Sequence, residues 1–283
     1  MSLAEAVSLY LDYQRGRGLS LLSLKQLRYQ LGDLVRFLGD WPAPDGLTRW
    51  QASQRVARTT VHHKVKAAKA FFTWAFQAGY TQTNHGAHLQ APHRPRRLPS
   101  VLDDDQVTEL LRGAWVSDYS KRDLCLVERD RMLVRTFMLT GLRRAEICSV
   151  NVGDYDVTHR RLRVRGKGDR DRVVPLPAGL NLSTLAGGGR RPSAPLFTRR
   201  DGGRLDPNAI SYVFTRKVSP AVGARVTPHM LRHSYATYLC RRGVPLRQIQ
   251  QLLGHSSLAT TQIYLDVTAA DLEQAVMALN ALG

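Results

Sequence analysis

A ten-residue segment without apolar periodicity divides this chain and limits the folds open to it. Residues 91–100 read APHRPRRLPS, with three prolines, three arginines and neither helical nor strand spacing. Pro-rich spacers are extended and semi-rigid. We therefore predict two domains, residues 1–90 and 101–283, joined by a basic linker at 91–100. At 283 residues, 43% of them hydrophobic, the chain is long enough for two domains that each bury a core.

The first domain is predicted to be a small bundle of helices. Apolar residues recur at helical spacing over 3–13, 20–39 and 59–79. The third pattern places Phe72 and Phe76 on its apolar side. Its other side carries a basic stripe, for which DNA phosphate contact and a solvated helix face are equal alternatives. The stripe consists of Lys64, Lys66 and Lys69.

The second domain is predicted to be mainly α-helical with one small antiparallel sheet. An acidic run at 103–105 caps a first helix, and a longer helical pattern ends at Gly141. Residues 161–165 alternate with period two, 166–169 form a turn, and 173–176 return as the second strand. From residue 206 onward the pattern is helical again. The fold class is therefore mainly α.

Charge and cysteine content indicate a nucleic-acid partner and a reducing compartment. The formal net charge is +18, and each domain and the linker are separately basic, which suits a long polyanion. An arginine-rich genome is the alternative source of this charge. The three cysteines are scattered, which argues against a zinc ribbon or a disulfide framework. Since no signal peptide or apolar span of about 20 residues is evident, we expect a cytoplasmic, nucleoid-associated protein and no membrane.

Two basic residues in the second domain have positions suited to phosphate chemistry. Arg143 follows a glycine at a predicted helix start, with Glu146 three residues later. A helix N-terminus favours anions, and a guanidinium binds phosphate oxygens in pairs. Lys167 lies between two glycines of the hairpin turn, and a lysine can give up a proton to a leaving group. Taken singly, a surface Arg–Glu pair and a turn lysine explain these positions equally well.

The last third of the chain adds two histidines, an arginine and a tyrosine. His229 and Arg232 are three apart, so that one helix face brings both to one phosphate. His255 follows Leu-Leu-Gly, and Tyr264 comes nine residues later. A tyrosine oxygen can attack a phosphate that cations and hydrogen-bond donors hold in place. No zinc site is predicted, because no glutamate adjoins His229 and no third ligand is evident.

Four segments place these residues in the context of a known family. The segments TGLRRAE, GKGDRDRVVPLP, HMLRHSYATYL and IQQLLGHSSLATTQIY resemble signature segments of the tyrosine recombinase (phage integrase) family. The first domain is similar to that family's helical core-binding (SAM-like) domain. In length the chain resembles the simple Xer-type members, which lack an additional arm-binding module.

The resemblance implies a role for each candidate residue. Tyr264 would attack the scissile phosphate and form a 3′-phosphotyrosyl link, while Arg143 and Arg232 clamp the phosphate. Lys167 would protonate the leaving 5′ oxygen. His229 would assist proton transfer at the phenol. Neither a metal nor a nucleotide cofactor is implied.

The resemblance also implies supporting contacts and partners. His255 would hydrogen-bond the phosphate, and Glu146 would support Arg143. The partner would be double-stranded DNA bound by a tetramer, in which a C-terminal helix at 269–281 docks on a neighbouring protomer. Whether a second, related recombinase must take part stays open. Further DNA contacts are expected from the linker residues Arg94, Arg96 and Arg97.

Two alternatives from other classes compete with a recombinase. One is a DNA-binding protein of the same fold without strand transfer, for which six catalytic positions in order would have no use. The other is a type IB topoisomerase, which shares most of this chemistry but acts as a monomer on one duplex and needs no exchanged C-terminal helix.

Overall fold

The computed structural model describes five stretches of the chain: 1–43, 45–93, 100–113, 124–166 and 171–254. Its contacts divide the chain into two compact units, Met1–Arg96 and Arg97–Gly283. The linker residues Arg94, Arg96 and Arg97 lie outside the described stretches.

The described part of the first unit is a bundle of helices. In chain order these are α1 (Leu3–Gly16), α2 (Leu21–Leu38), α3 (Gly46–Ala52) and α4 (Arg58–Gln77). The hydroxyl of Ser20 caps α2 by accepting from the Ser23 amide at 3.3 Å. Helix α3 was not predicted, because seven residues are too few to show a periodicity. It nevertheless buries Trp50 completely in the core of the bundle.

The apolar face of α4 differs from the prediction at two positions. Phe71 and Ala67 are both buried, so the buried arc is wider than the sequence pattern indicated. Phe76 is exposed, because at 100° per residue it lies about 40° beyond Phe72, at the edge of that arc. Lys64 lies within the arc, between Ala68 and Phe71, and is only 5% exposed.

The burial of Lys64 makes the predicted DNA contact at this residue wrong. Its ammonium donates to Asp33 Oδ2 at 2.8 Å and to Gln54 Oε1 at 2.7 Å. An ammonium held inside a helical bundle cannot reach a phosphate without breaking this network. Lys66 and Lys69 are exposed, and Lys69 Nζ also donates to the Leu89 carbonyl at 3.2 Å, so their contact with DNA stays a prediction.

The described part of the second unit is mainly α-helical with a small sheet, which confirms the predicted fold class. Its first helices are α5 (Asp104–Arg112), α6 (Leu124–Thr140) and α7 (Arg144–Ser149). The antiparallel sheet follows, in the order β1 (Tyr155–Asp156), β2 (Arg161–Val164) and β3 (Arg172–Pro175). The later helices are α8 (Ser183–Ala186), α9 (Pro207–Val213), α10 (Ser219–Val222), α11 (Pro228–Arg241) and α12 (Leu246–Leu253).

Three helices of this unit meet at Gly141, directly after α6. Its φ is +61°, a value that favours glycine. A Cβ at this position would lie 2.5 Å from Tyr235 Cδ1 on α11 and 2.8 Å from Leu253 Cδ2 on α12. Only a glycine therefore allows α6, α11 and α12 to approach each other here. Within the described stretches, no helix is both long enough and apolar enough to cross a bilayer.

Candidate active site

The start of α7 holds Arg143 against Glu146. The Arg143 amide donates to Glu146 Oε2 at 2.7 Å, and its guanidinium Nη1 donates to Oε1 at 2.8 Å. The glutamate thereby binds one of the amides that a helix N-terminus leaves without an intrahelical partner. The side chain of Glu146 is 6% exposed and that of Arg143 is 41% exposed. One buried carboxylate thus fixes a guanidinium that is open to solvent.

A second arginine, Arg172, binds the same carboxylate and was missed by the sequence analysis. Its Nη1 and Nη2 donate to the two oxygens of Glu146, each at 2.9 Å, and its Nε donates to the Leu252 carbonyl at 3.0 Å. The signal that could have found it is strand alternation. Arg172 lies two residues before the buried Val174 in β3, on the face that the sequence otherwise fills with apolar residues.

Arg232 enters the site from the first turns of α11. The hydroxyl of Thr227 caps this helix by accepting from the Met230 amide at 3.2 Å. The guanidinium of Arg232 is buried and donates to two carbonyls, Gly141 O and Leu253 O, each at 2.7 Å. It therefore ties the end of α6 to the end of α12.

The three guanidinium groups converge on the C-terminal end of α12. Arg172 binds the carbonyl of Leu252, and Arg232 binds that of Leu253. Arg143 Nη2 binds the carbonyl of Gly254 at 2.9 Å. The last carbonyls of a helix lack intrahelical partners and carry partial negative charge, so cations stabilise them. This helix end therefore brings together arginines that are 89 positions apart in the sequence, Arg143 and Arg232.

Gly254 permits this convergence because nothing but hydrogen fits at its Cα. Its φ is +63°, and a Cβ would lie 2.9 Å from Arg172 Nη1 and 3.0 Å from Arg172 Cζ. The guanidinium of Arg172 thus packs against the backbone at this residue. The glycine of the LLGH segment is accordingly required both by the turn and by Arg172.

Electrostatics keep the carboxylate charged and the two histidines of α11 neutral. Burial raises the pKa of Glu146, but hydrogen bonds from Arg172 and the Arg143 amide outweigh it, and the net pKa is lowered. Burial lowers the pKa of His229, helped by the charges of Arg232 and Arg143. Burial, followed by the neighbouring His229 and Arg232, lowers the pKa of His233 to about 4. A neutral imidazole at position 229 can accept a proton.

The two imidazoles do not form a metal site with a third side chain in the part of the chain that is described. Their ring centroids are 4.3 Å apart at 75°, an edge-to-face contact. No group of three or more His, Cys, Asp or Glu side chains gathers among the described residues.

The structure brings Arg143, Glu146 and Arg232 together, with His229 three residues before Arg232 on α11. The other three predicted catalytic residues lie outside the described stretches. Lys167 falls between β2 and β3, His255 directly follows Gly254, and Tyr264 comes nine residues after His255.

A mainly α-helical unit with paired arginines on a buried carboxylate is the fold and site of a protein that handles phosphate groups, and comparison with known proteins places it further. Residues 100–271 match the model of the phage integrase family. Tyrosine recombinase XerC of Mycobacterium sp. (strain KMS) is 38% identical over 295 residues, with 96% of each chain covered. Tyrosine recombinase XerC of Mycobacterium tuberculosis (strain ATCC 25177 / H37Ra) is 38% identical over 284 residues, with 93% of each covered. The chain belongs to the phage integrase family and is a tyrosine site-specific recombinase.

Solved structures confirm the fold. The XerH recombinase bound to palindromic difH substrate, a post-cleavage complex, has a TM-score of 0.74 at 20% identity, covering 93% of this chain and 81% of that chain. A lambda integrase dimer bound to a COC′ core site has a TM-score of 0.74 at 19% identity, with 93% and 77% covered. A lambda integrase tetramer bound to a Holliday junction has a TM-score of 0.72 at 20% identity, with 91% and 78% covered.

Proposed function

We propose that this recombinase cleaves and rejoins DNA through a 3′-phosphotyrosyl intermediate on Tyr264. The observation that carries the proposal is the placement of Arg143 and Arg232. Their guanidinium groups bind adjacent carbonyls, Gly254 O and Leu253 O, at the end of α12. Two cations fixed side by side match the two non-bridging oxygens of one phosphodiester.

The proposed chemistry is a reversible transfer of the phosphoryl group between two oxygens. The phenol oxygen of Tyr264 forms a bond to phosphorus while the bond from phosphorus to the 5′ oxygen breaks. His229, whose pKa is lowered by its burial and by nearby arginines, accepts the phenol proton. Lys167 gives a proton to the leaving 5′ oxygen. Attack by a 5′ hydroxyl on the phosphotyrosine reverses these steps and seals the strand, so no nucleotide is consumed.

Arg143, Arg232 and His255 would stabilise the charge that develops on the phosphate during the transfer. Arginine suits this task because its charge is permanent and its donors form a planar fork. Glu146 would hold Arg143 in place without touching the DNA.

We further propose that the protein acts as a tetramer on paired sites in double-stranded DNA, within the nucleoid. Exchange of the helix at 269–281 between protomers would hold the tetramer together. The lambda integrase tetramer on a Holliday junction, which shares this fold, supports the assembly. Exposed Lys66 and Lys69, with Arg94, Arg96 and Arg97 of the linker, would add contacts to DNA phosphates.

The test of the cleavage mechanism begins with a DNA site that the wild-type protein enriches from a random-sequence duplex library. A nicked version of that duplex traps the covalent adduct, because the short strand diffuses away after cleavage. The wild type should form a protein–DNA adduct, and Tyr264→Phe should bind the duplex with similar affinity but form none. Tyr238→Phe, at another tyrosine of the same unit, is the matched control and should form the adduct normally. An adduct with Tyr264→Phe would place the nucleophile elsewhere.

The assembly is tested by deleting residues 269–283. If the helix is exchanged, the truncated protein should bind one half-site nearly as well as the full chain but should fail to pair two sites. A melting temperature that drops strongly in the free protein would instead show that the helix packs within its own chain. Full-length protein that relaxes supercoiled DNA but never pairs two sites would be a type IB topoisomerase.

A further inference from the structure

Arg172 uses every nitrogen of its side chain to connect three segments of the second unit. It starts β3, where it pairs with Val164 of β2, so its backbone closes the described part of the hairpin that flanks Lys167 in sequence. Its Nη1 and Nη2 bind Glu146 on α7, and its Nε binds Leu252 at the end of α12. The segments that carry Arg143, Lys167 and His255 in the sequence therefore meet at one buried guanidinium.

The two arginines on Glu146 differ in what they present to solvent. The side chain of Arg172 is 13% exposed and binds both carboxylate oxygens as a fork. That of Arg143 is 41% exposed and gives the carboxylate one guanidinium bond, at 2.8 Å. Bidentate arginine–carboxylate pairs are the stronger and more directional kind. Arg172 thus supplies most of the counter-charge, and Arg143 is held by one guanidinium nitrogen.

We propose that Arg172 is a positioning residue for DNA cleavage, which acts by neutralising Glu146 so that Arg143 can turn its charge toward the scissile phosphate. The inference rests on the function proposed above. Without Arg172, Glu146 would keep a buried negative charge whose remaining cationic partner of this pair is Arg143. A buried carboxylate without sufficient counter-charge is costly, so it would draw the guanidinium of Arg143 inward and away from the phosphate. The carbonyl of Leu252 would lose a donor at the same time.

The charge argument makes a prediction that a purely structural role does not make. In Arg172→Met the carboxylate competes with the phosphate for Arg143. If Glu146→Gln is added, the competing charge is removed, while the amide oxygen can still accept from Arg143. The double variant should therefore cleave faster than Arg172→Met alone. If Arg172 only held the fold together, a second substitution in the same cluster would leave the rate equal or lower.

The experiment measures single-turnover adduct formation at saturating DNA, on the nicked duplex selected by the wild-type protein. The amplitude reports the fraction of folded, active protein, and the rate constant reports the chemistry of that fraction. Arg172→Met is expected to lower the rate constant by about 10–100-fold, by analogy with the loss of outer partners of metal ligands. Arg172→Lys keeps the buried charge without the fork, and its rate constant should lie between the two. Should Arg172→Met fail to fold, Arg172→Lys with and without Glu146→Gln provides the same comparison.

Arg163→Met is the matched control. Arg163 lies on β2 and binds another buried carboxylate, that of Asp154, through Nε at 3.1 Å and Nη2 at 3.0 Å, but α7 and α12 are not part of that pair. Its rate constant should equal that of the wild type. The proposal is overturned if Arg172→Met keeps the wild-type rate constant, if Arg163→Met slows cleavage equally, or if the added Glu146→Gln brings no recovery. Absence of any adduct with the wild type would instead refute the proposed function itself.

Discussion

Each unit of this protein holds a carboxylate between a buried cation and an exposed arginine, and the two arrangements differ in how firmly the exposed arginine is bound. In the first unit, Asp33 binds buried Lys64 at 2.8 Å, and the exposed Arg36 lies 3.9 Å away. In the second unit, Glu146 binds buried Arg172 twice at 2.9 Å and the half-exposed Arg143 at 2.8 Å.

The chemistry of the buried cation explains part of this difference. Lysine is a point charge with three donors, and Lys64 uses it to join α2, α4 and Gln54 beyond α3. Burial raises the pKa of Asp33, but its bonds to Lys64 and to the Trp50 and Gln54 side chains outweigh it, and the net pKa is lowered. That cluster fixes the bundle and presents nothing to a ligand.

The arginine cluster adds a function to the same kind of pair. The fork of Arg172 orients the carboxylate, and the carboxylate in turn orients Arg143 next to Arg232 at the end of α12. A buried acid–cation pair is therefore structural by itself. It indicates an active site when it fixes a further cation that is open to solvent and lies beside other converging donors.

The largest effect is expected from the two phosphate-facing arginines. Arg143→Ala and Arg232→Ala should each slow single-turnover cleavage by about 10²–10³-fold, or about 3–4 kcal/mol, as for loss of an oxyanion donor. DNA affinity should fall much less, because many other phosphate contacts remain. Arg232→Ala should also lower the melting temperature, since the carbonyls of Gly141 and Leu253 lose a buried donor. Parallel losses of binding and cleavage would reduce both residues to ordinary backbone contacts.

The next effect concerns the buried lysine. Lys64→Met should lower the free energy of unfolding by about 1–3 kcal/mol, because it leaves Asp33 with an unpaired charge that water reaches only in part. Adding Asp33→Asn should recover much of this loss. Urea unfolding measures the stability, and the cleavage rate constant should not change. Weaker DNA binding at unchanged stability would contradict the structural role and restore Lys64 to the DNA surface.

The differences between the two clusters also define what the sequence could predict. Arg143, Glu146, His229 and Arg232 were found because they stand in recognisable segments at helix starts. Lys64 was misplaced because the predicted apolar face of α4 left out Phe71, on whose side it lies.

Arg172 was missed for a different physical reason. It stands in a run of alternating charges, DRDR, whose strand phase is set by pairing with β2 and not by local spacing. Its partners, Glu146 and Leu252, are 26 and 80 positions away. Contacts of that separation depend on the assembled fold, and a local pattern does not contain them.

A smaller effect should distinguish the clusters by pH. The pKa of His233 is lowered from 6.5 to about 4, so the unfolded chain binds more protons across that window. The free energy of unfolding should therefore fall as the pH drops from about 6.5 toward 4. His233→Gln should flatten this dependence in melting curves. The destabilisation by Lys64→Met should instead stay constant from pH 7 to 5, because the lowered pKa keeps Asp33 charged there. A Lys64→Met effect that varied across this range would show that Asp33 titrates within it.

The smallest effect is expected at the exposed partner of Asp33. Arg36 is 75% exposed and its Nη2 lies 3.9 Å from Asp33 Oδ1, so solvent and salt screen the pair. Exposed ion pairs contribute about 0–1 kcal/mol, and Arg36→Ala should therefore change the urea midpoint far less than Lys64→Met does. Added salt should erase the small difference that remains. Arg143 is the counterpart of Arg36 in the second unit, yet it is bound by the amide-capping carboxylate and by Gly254 O. If Arg36→Ala destabilised the protein as much as Lys64→Met, distance and exposure would not separate a fixed cation from a loose one, and the distinction drawn between the two clusters would fail.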